Sequence, residues 1–492
     1  MLQINMKNMQ KKNRQPKSVL ERQRKMSRRR AGVLVLIYVL FLIHFIQWKM
    51  YGKTLSPTEL NEAMYTIEQG IVTVGAIFLA LILISVLLFG RFFCSWGCHI
   101  LALQDLSSWL LKKCHVKPRS IRSRILPIVA VGALLYMFVW PTVVRIYEGG
   151  QWAGFRVLSD QDGFGSITTE QFTRNLPGPL MTTLTFITVG LLAVLFLGSR
   201  GFCRFVCPYG ALFAMLDRVS PAGIQRTGNC DGCGFCTAAC TSNIQVHHEI
   251  QVHGRVVSPT CMKDLDCVMS CPQDAIKFGY GKLPLKHSFD NFVKPSRKWP
   301  WNWWQEILAG IVCIVVLLIT RTLYGEVPFL LAITFGVIYA WATITTVQLF
   351  TQQNVKVFKA QLLLGNTLQR SSVYWLVGFA LVTICLVHSG WIRWHEYQGQ
   401  QAWSRVVHGE MEHADDAIYH FTVVIEDGIW RPPYTDRMLS DIYLQLGEFE
   451  SAIPHLQILL KRWPQHTELQ RKMQIAQFNT MQLQRANNGV GK

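Results

Sequence analysis

The chain has 492 residues, 50% of them hydrophobic and 16% charged, with a formal net charge of +19. That balance is too apolar for an ordinary soluble enzyme and points to a membrane protein. The excess of lysine and arginine reads as retention of basic loops at the cytoplasmic face and contact with anionic membrane lipid, and nucleic-acid binding is set aside.

Residues 1–30 form a basic arm, ending KKNRQPKSVLERQRKMSRRR. Apolar runs follow at 31–48, 70–90, 125–144 and 180–198, then at 304–320, 327–347 and 372–390. Each is long enough to cross a hydrocarbon core of about 30 Å, which predicts seven spans. No small-residue cleavage site follows the first run, so it is expected to stay as an anchor. Arg91, Lys112, Lys113, Lys117, Arg119, Arg122 and Arg124 gather after the second run, while the loops 49–69 and 146–179 are mixed or acidic. Positive charge stays inside. The expected topology is therefore a bacterial inner-membrane protein with a cytoplasmic N-terminus and a periplasmic tail. All 14 cysteines fall in segments read as cytoplasmic or within spans, as a reducing compartment allows.

The second run ends in LLFGRFFCSWGCHIL and the fourth in LFLGSRGFCRFVCPYGAL, an internal repeat carrying Cys94 and Cys98 in one copy and Cys203 and Cys207 in the other. Cysteines at i and i+4 share a helix face. Two such hairpins could present four thiols to one site, for a reversible disulfide, a third cluster or a soft metal such as copper. The bland alternative is small buried residues at a helix bend.

Between the fourth and fifth runs, NCDGCGFCTAAC sets Cys230, Cys233, Cys236 and Cys240 at the spacing of a bacterial two-cluster ferredoxin, in which the fourth cysteine ligates the other cluster. A second half repeats the offsets with Cys261, Asp264, Cys267 and Cys271, an aspartate standing where a thiolate is expected. By the crossed logic the first 4Fe–4S cluster takes Cys230, Cys233, Cys236 and Cys271. The second takes Cys240, Cys261 and Cys267, with Asp264 in the remaining place. Three outcomes stay open there: a 4Fe–4S cluster with an Asp264 ligand, a 3Fe–4S cluster with Asp264 free, or a degenerate site. His247, His248 and His253 read as solvated residues between the halves.

His44 and His388 lie inside the first and last runs. Haem ligation by the two is the weaker reading, against hydrogen-bonded histidines near helix ends. In the tail, LSDIYLQLGEFESAIPHLQILLKRWPQHTEL places Tyr443, Gly447, Phe449, Ala452, Leu456, Leu459 and Pro464 close to a tetratricopeptide (TPR) pattern. One repeat cannot bury its own apolar face, so a final helix near 466–484 or a docking protein should cover it.

Paired membrane-end CxxxC motifs followed by a two-cluster ferredoxin resemble the membrane polyferredoxin group that includes NapH, NosR and CcoG (FixG). The likeness covers residues 70–280 or so. It implies membrane electron transfer serving a periplasmic redox process, with copper reduction for oxidase assembly in one branch. Three features depart from the group: His99 stands where proline is usual after the first CxxxC, Asp264 where cysteine is usual, and the tail is not immunoglobulin-like.

The expected architecture is an α-helical integral membrane protein with a small ferredoxin-like α+β insert and an α-helical TPR-like C-terminal tail. Its parts are the arm (1–30), four spans with the first CxxxC motif (31–199), a cytoplasmic ferredoxin-type domain led by the second CxxxC motif (200–285), three spans (286–390) and the extracytoplasmic tail (391–492). The expected function is iron–sulfur electron transfer between a cytoplasmic donor or the quinol pool and a membrane or periplasmic redox partner. The alternative is a copper reductase or assembly factor for a respiratory oxidase or reductase. A third class is a structural anchor with vestigial clusters.

Overall fold

The structure is a computed structural model that describes residues 15–56, 58–116, 118, 123–147, 149–150, 154–157, 167–170, 172, 178–285, 299–464 and 466–489. Residues 1–14 of the basic arm, and Lys117, Arg119 and Arg122 among the orientation markers, lie outside the described residues. The chain divides into two compact units, one holding Met1–Cys313 with Ile333–Val347 and Lys356–Ala360, the other Ile314–Ala332, Gln348–Val355 and Gln361–Lys492.

Each of the seven apolar runs forms helix. Among the described residues, five helices are long and apolar enough to cross a membrane: Lys17–Tyr51 (α1), Pro179–Leu197, Trp303–Thr320, Phe329–Thr351 and Arg370–Val407. Leu126–Phe138 and Trp140–Tyr147, bent by 44°, make a sixth if they count as one span. The seventh, Val74–Phe89 (α2), has 16 residues and a length of about 24 Å, short of the hydrocarbon thickness. Its start is fixed by Thr73, whose Oγ1 accepts a hydrogen bond from Ala76 N at 3.1 Å, while Ile71–Val72 before it pairs with Arg156–Val157. The chain is a multi-pass membrane protein.

Both CxxxC motifs sit at helix-to-helix turns beyond an apolar helix. After α2 come the short helix Phe92–Trp96 (α3) and the amphipathic His99–Lys113 (α4). After Pro179–Leu197 come Gly201–Phe205 (α5) and Pro208–Asp217 (α6). Pro208 opens α6 at a position that needs no backbone N–H, and His99, which has one, opens α4 at the same place. The fourth span carries a π-helical stretch, Phe186–Leu192, in which a Cβ on Gly190 would stand 2.8 Å from Leu103 Cγ of α4. Glycine lets α4 approach the span backbone.

The insert is a two-stranded antiparallel sheet, Ala222–Arg226 (β1) against Ile276–Tyr280 (β2), with Ala222 opposite Tyr280 and Arg226 opposite Ile276. Between the strands lie the helices Phe235–Ala239 (α7), Val246–His253 (α8) and Asp266–Met269 (α9). Ile224, Ile244, Val246, Ile250, Val256 and Ile276 form its core together with the cysteines.

The N-terminal end of α1 is bound to this insert. Arg22 pairs with Asp274 at 2.5 Å and donates to Cys271 O at 3.1 Å, and Arg30, 6% exposed, pairs with Asp266 at 2.9 Å and Asp105 at 3.3 Å. These two arginines of the basic arm have protein carboxylates as partners, where composition alone had suggested lipid.

In the second unit, the helix from Arg370 runs on to Val407 and packs against Ala414–Glu426 through Ala402, Val406, Ala417 and Phe421. Pro433–Leu446 and Phe449–Arg462 follow, separated at Gly447, whose φ of 75° ends the first of them. The face made by Ala452, Leu456 and Leu459 is covered by Leu469, Met473 and Ala476 of the last helix, Thr467–Gly489. That face is closed within the chain.

Candidate functional site

The first ferredoxin half makes a pocket lined by Cys230, Cys233, Cys236 and Cys271, with His247, Ile250 and Ile276 behind them. Gly232 and Gly234 take φ of 72° and 77°, the left-handed turns that wrap this loop about the pocket. Burial pushes the Cys236 thiol up to about 11, and Cys233, Cys271 and Cys230 add to the shift. Cys271 comes from the far half of the insert, so the pocket is closed by the crossed residue.

The second half repeats this backbone. Lys263 and Leu265, at the offsets of Gly232 and Gly234, also have positive φ, 56° and 65°, and α9 begins at the same offset as α7. Left-handed backbone at a residue with a Cβ costs about 1–2 kcal/mol. The loop keeps the conformation of the first half at that cost, with Asp264 between the two strained residues. The Asp264 carboxylate, 7% exposed, accepts from Thr241 Oγ1 at 2.5 Å and from Asp266 N at 3.3 Å. Burial pushes Cys240 up to about 12 and Cys267 well above the usual range, with Asp264 the next contributor to each and Cys261 also acting on both. Cys240, Cys261, Asp264 and Cys267 therefore form a second group.

The two hairpins converge as well. Burial raises Cys98 to about 11 and Cys207 to about 12, Cys94 acts on both, and Cys98 acts on Cys207. Cys203 is raised well above the usual range by burial, then by Cys207, Cys98 and Cys94. All four are free thiols. Arg91 and Arg200, each three residues before the first cysteine of its repeat, are buried beside them at 2% and 3% exposure. Their acidic partners are exchanged between repeats: Arg200 Nη1 donates to Asp105 of the first at 2.6 Å, and Arg91 N donates to Asp217 of the second at 3.1 Å.

The second ferredoxin loop is fastened to these hairpins. Ser95 Oγ donates to Met262 O at 2.5 Å, Arg91 Nη1 to Pro259 O at 2.7 Å, and buried Lys263 pairs with buried Asp217 at 2.8 Å. Gly90, with φ of 70°, completes the joint, since a Cβ there would stand 2.5 Å from Asp217 Oδ1. Arg200 lies close enough to both Cys203 and Asp264 to feel the charge of each. The second thiol group is thus joined to the hairpins on one side and, through Cys236 acting on Cys267, to the first group on the other.

Sequence reasoning missed several of these residues. His247 lines the first pocket and shares a 2.7 Å hydrogen bond between its Nδ1 and Thr237 Oγ1, where the sequence had suggested a solvated residue. The repeat of arginine before each CxxxC was visible, but its partners Asp105 and Asp217 lie in different copies and carry no spacing rule. Of the histidines in the spans, His44 Nδ1 meets Thr54 Oγ1 at 3.2 Å within the first unit, and His388 belongs to the second.

A 4Fe-4S binding-domain family model matches residues 71–117 and again 180–226, which are the two hairpin repeats. The chain is similar over these repeats to ferredoxin-type membrane proteins. The putative electron transport protein YccM of Escherichia coli is 34% identical over 198 residues, 39% of this chain and 52% of that protein. The ferredoxin-type protein NapH of Escherichia coli is 28% identical over 195 residues, 37% of this chain and 60% of that protein. The methylamine utilization ferredoxin-type protein MauN of Methylobacillus flagellatus is 28% identical over 153 residues, 31% of this chain and 48% of that protein. The match spans about half the length of the first of these polyferredoxin relatives. No solved structure matches the chain. The likeness supports iron–sulfur clusters and electron transfer.

Proposed function

We propose that this chain is an integral membrane electron carrier, in which the insert receives electrons on the cytoplasmic side and passes them toward the CxxxC hairpins and a redox partner at the membrane. The observation that carries the reading is the fastening of the second ferredoxin loop to both hairpins, which holds the three cysteine groups in fixed succession. Cys230, Cys233, Cys236 and Cys271 would hold one 4Fe–4S cluster. Cys240, Cys261 and Cys267 would hold the second, with Asp264 at its remaining corner. Bound clusters supply one-electron redox chemistry, the donor centre being oxidised as the next is reduced.

The residues of this chain do the rest. The thiols give up their protons on loading, which burial makes unfavourable until iron is present. The Lys263–Asp217 pair and the Ser95 bond hold the second loop against the hairpins so that its distance to them does not drift.

The test is anaerobic purification of the full chain in detergent with iron, acid-labile sulfide and electron paramagnetic resonance (EPR). Wild type should carry both insert clusters, and serine at Cys233 and Cys236 together should remove one cubane's worth of iron and abolish electron passage. A variant that loses this iron yet keeps the chain's function in the cell would return the chain to the structural-anchor class.

A further inference from the structure

The two halves of the insert can be compared position by position. Cys230, Cys233, Cys236 and Cys240 each stand 31 positions before Cys261, Asp264, Cys267 and Cys271, and at the same offset Asn243 and Asp274 both take positive φ, 56° and 49°. Thr237 in α7 then has Val268 in α9 as its counterpart. The offset leads from His247, near the start of α8, to Phe278 in β2, where the chain has left helix for strand. Val268 and Phe278 are apolar and pack against the insert core. Thr237 and His247 instead bond to each other, and His247 lines the pocket that Cys230, Cys233, Cys236 and Cys271 enclose. The first half carries a polar pair at its pocket where the second carries two hydrocarbons.

The pair also settles where the imidazole proton sits. His247 N donates to Thr237 Oγ1 at 3.1 Å, a bond whose direction is fixed because the donor is backbone. The same oxygen lies 2.7 Å from His247 Nδ1. A ring proton on Nδ1 would give the hydroxyl two donors and leave its own hydrogen without an acceptor, since among the described residues Thr237 Oγ1 has no other partner. The satisfied arrangement has the hydroxyl donating to Nδ1, which leaves the ring proton on Nε2. Nδ1 is occupied by Thr237, so the Nε2–H edge is the part of the ring left for the pocket. Four cysteines already supply the ligands of a cubane, and a ring held in this tautomer is a donor in search of an acceptor.

We infer that His247 donates its Nε2–H to a sulfur of the cluster held by Cys230, Cys233, Cys236 and Cys271, and that Thr237 fixes the ring tautomer that makes this possible. The inference rests on the electron-carrier reading and on the four cysteines that line one pocket. A donor to cluster sulfur stabilises the reduced form, which carries the extra negative charge, and so raises the potential of the first centre. Thr237 is a positioning residue, acting on the cluster through the ring alone. The two centres, alike in backbone, thus differ in potential for two separate reasons: a histidine donor at the first and the Asp264 carboxylate at the second.

The experiment uses the full chain in detergent, purified without oxygen, with the first centre assigned as the EPR signal lost when Cys233 and Cys236 are both replaced by serine. His247→Phe and Thr237→Val give the first half the side chains of the second. Each should keep the iron and lower the midpoint potential of the first centre, on the order of a tenfold change in its reduction equilibrium, which is about 59 mV. The second centre should keep its potential in both. His247→Gln, which retains an N–H, should recover part of the shift. Electron–nuclear double resonance after transfer into deuterated buffer should show one exchangeable proton coupled to the first centre in wild type and missing in His247→Phe. An unchanged potential in Thr237→Val with full iron, or an exchangeable coupling that survives His247→Phe, would overturn the inference and leave the carrier reading standing. Should His247→Phe fail to load its cluster, Thr237→Val, which removes no group from the pocket lining, decides the matter by the same potential. Absence of the first signal from wild type would instead remove the carrier reading itself.

Discussion

Replacing Asp264 with alanine removes the acceptor of two donors at once. Thr241 Oγ1 loses a 2.5 Å bond and Asp266 N a 3.3 Å bond. A buried orphan costs about 1–3 kcal/mol, and the longer bond lies at the low end, so the metal-free insert should lose about 2 kcal/mol. A loss of that size multiplies the open population by roughly 30, which limited proteolysis of the insert reads directly. Asp264→Cys adds a second readout. Sulfur accepts weakly, so the metal-free insert is again weakened, yet a thiolate at this corner donates more charge to iron than a carboxylate does, which lowers the potential of the second cluster. Wild type should lose the corner iron on mild oxidation and show the paramagnetism of an oxidised 3Fe–4S centre, while the cysteine variant keeps a full cubane. Since about 59 mV in a one-electron step is a tenfold change in equilibrium, titrations resolve even a modest effect. Identical spectra and potentials in wild type, Asp264→Ala and Asp264→Cys would refute the assignment of Asp264 to the second cluster.

Three further outcomes are expected. Gly234→Ala has open space for its methyl group, so its cost is purely that of a φ of 77°, about 1 kcal/mol; proteolytic protection of the insert unchanged within about 0.3 kcal/mol would contradict the left-handed assignment. Gly90→Ala places a methyl against Asp217 and Lys263 and should break their buried pair, costing about 3–5 kcal/mol; normal yields of folded protein would show that the joint is dispensable. In the tail, burial alone would raise Asp436, but hydrogen bonds from His455 at 2.7 Å and Arg431 at 2.6 Å hold its carboxyl below the usual range. The stabilisation is full above the unfolded value of about 3.9 and is lost as pH falls through the lower folded value. Amide exchange of Pro433–Leu446 and Phe449–Arg462 should therefore accelerate below that range in wild type and change less with pH in Asp436→Asn.

The helices were legible because a hydrocarbon core demands long apolar runs, and the CxxxC repeat because cysteine spacing survives in plain text. The short second span was overestimated by four residues at its start, since Gly70, Ile71 and Val72 are as apolar as the helix and only the Thr73 cap marks the boundary. The strain at Lys263 and Leu265 becomes readable only when the second ferredoxin half is laid over Gly232 and Gly234, because neither residue type suggests a left-handed turn. Charge was the least legible property. Arg22 and Arg30 look like their lysine and arginine neighbours in the basic arm, and nothing in a one-dimensional pattern says that Asp274, Asp266 and Asp105 will meet them.

The exchange of Asp105 and Asp217 between repeats also sets a timetable for the newborn chain. At roughly 5–20 residues per second, Arg91 and the first two hairpin cysteines are made about 6 to 25 s before Asp217 exists. During that interval the Arg91 backbone N–H lacks its carboxylate acceptor and the thiols of the first hairpin lack those of the second. Ribosome pausing between the repeats, or a lag of the second hairpin in entering the bilayer, lengthens the window in which those thiols are open to oxidants. A chain split between the repeats should accumulate as folded protein only when both fragments are synthesised in the same cell.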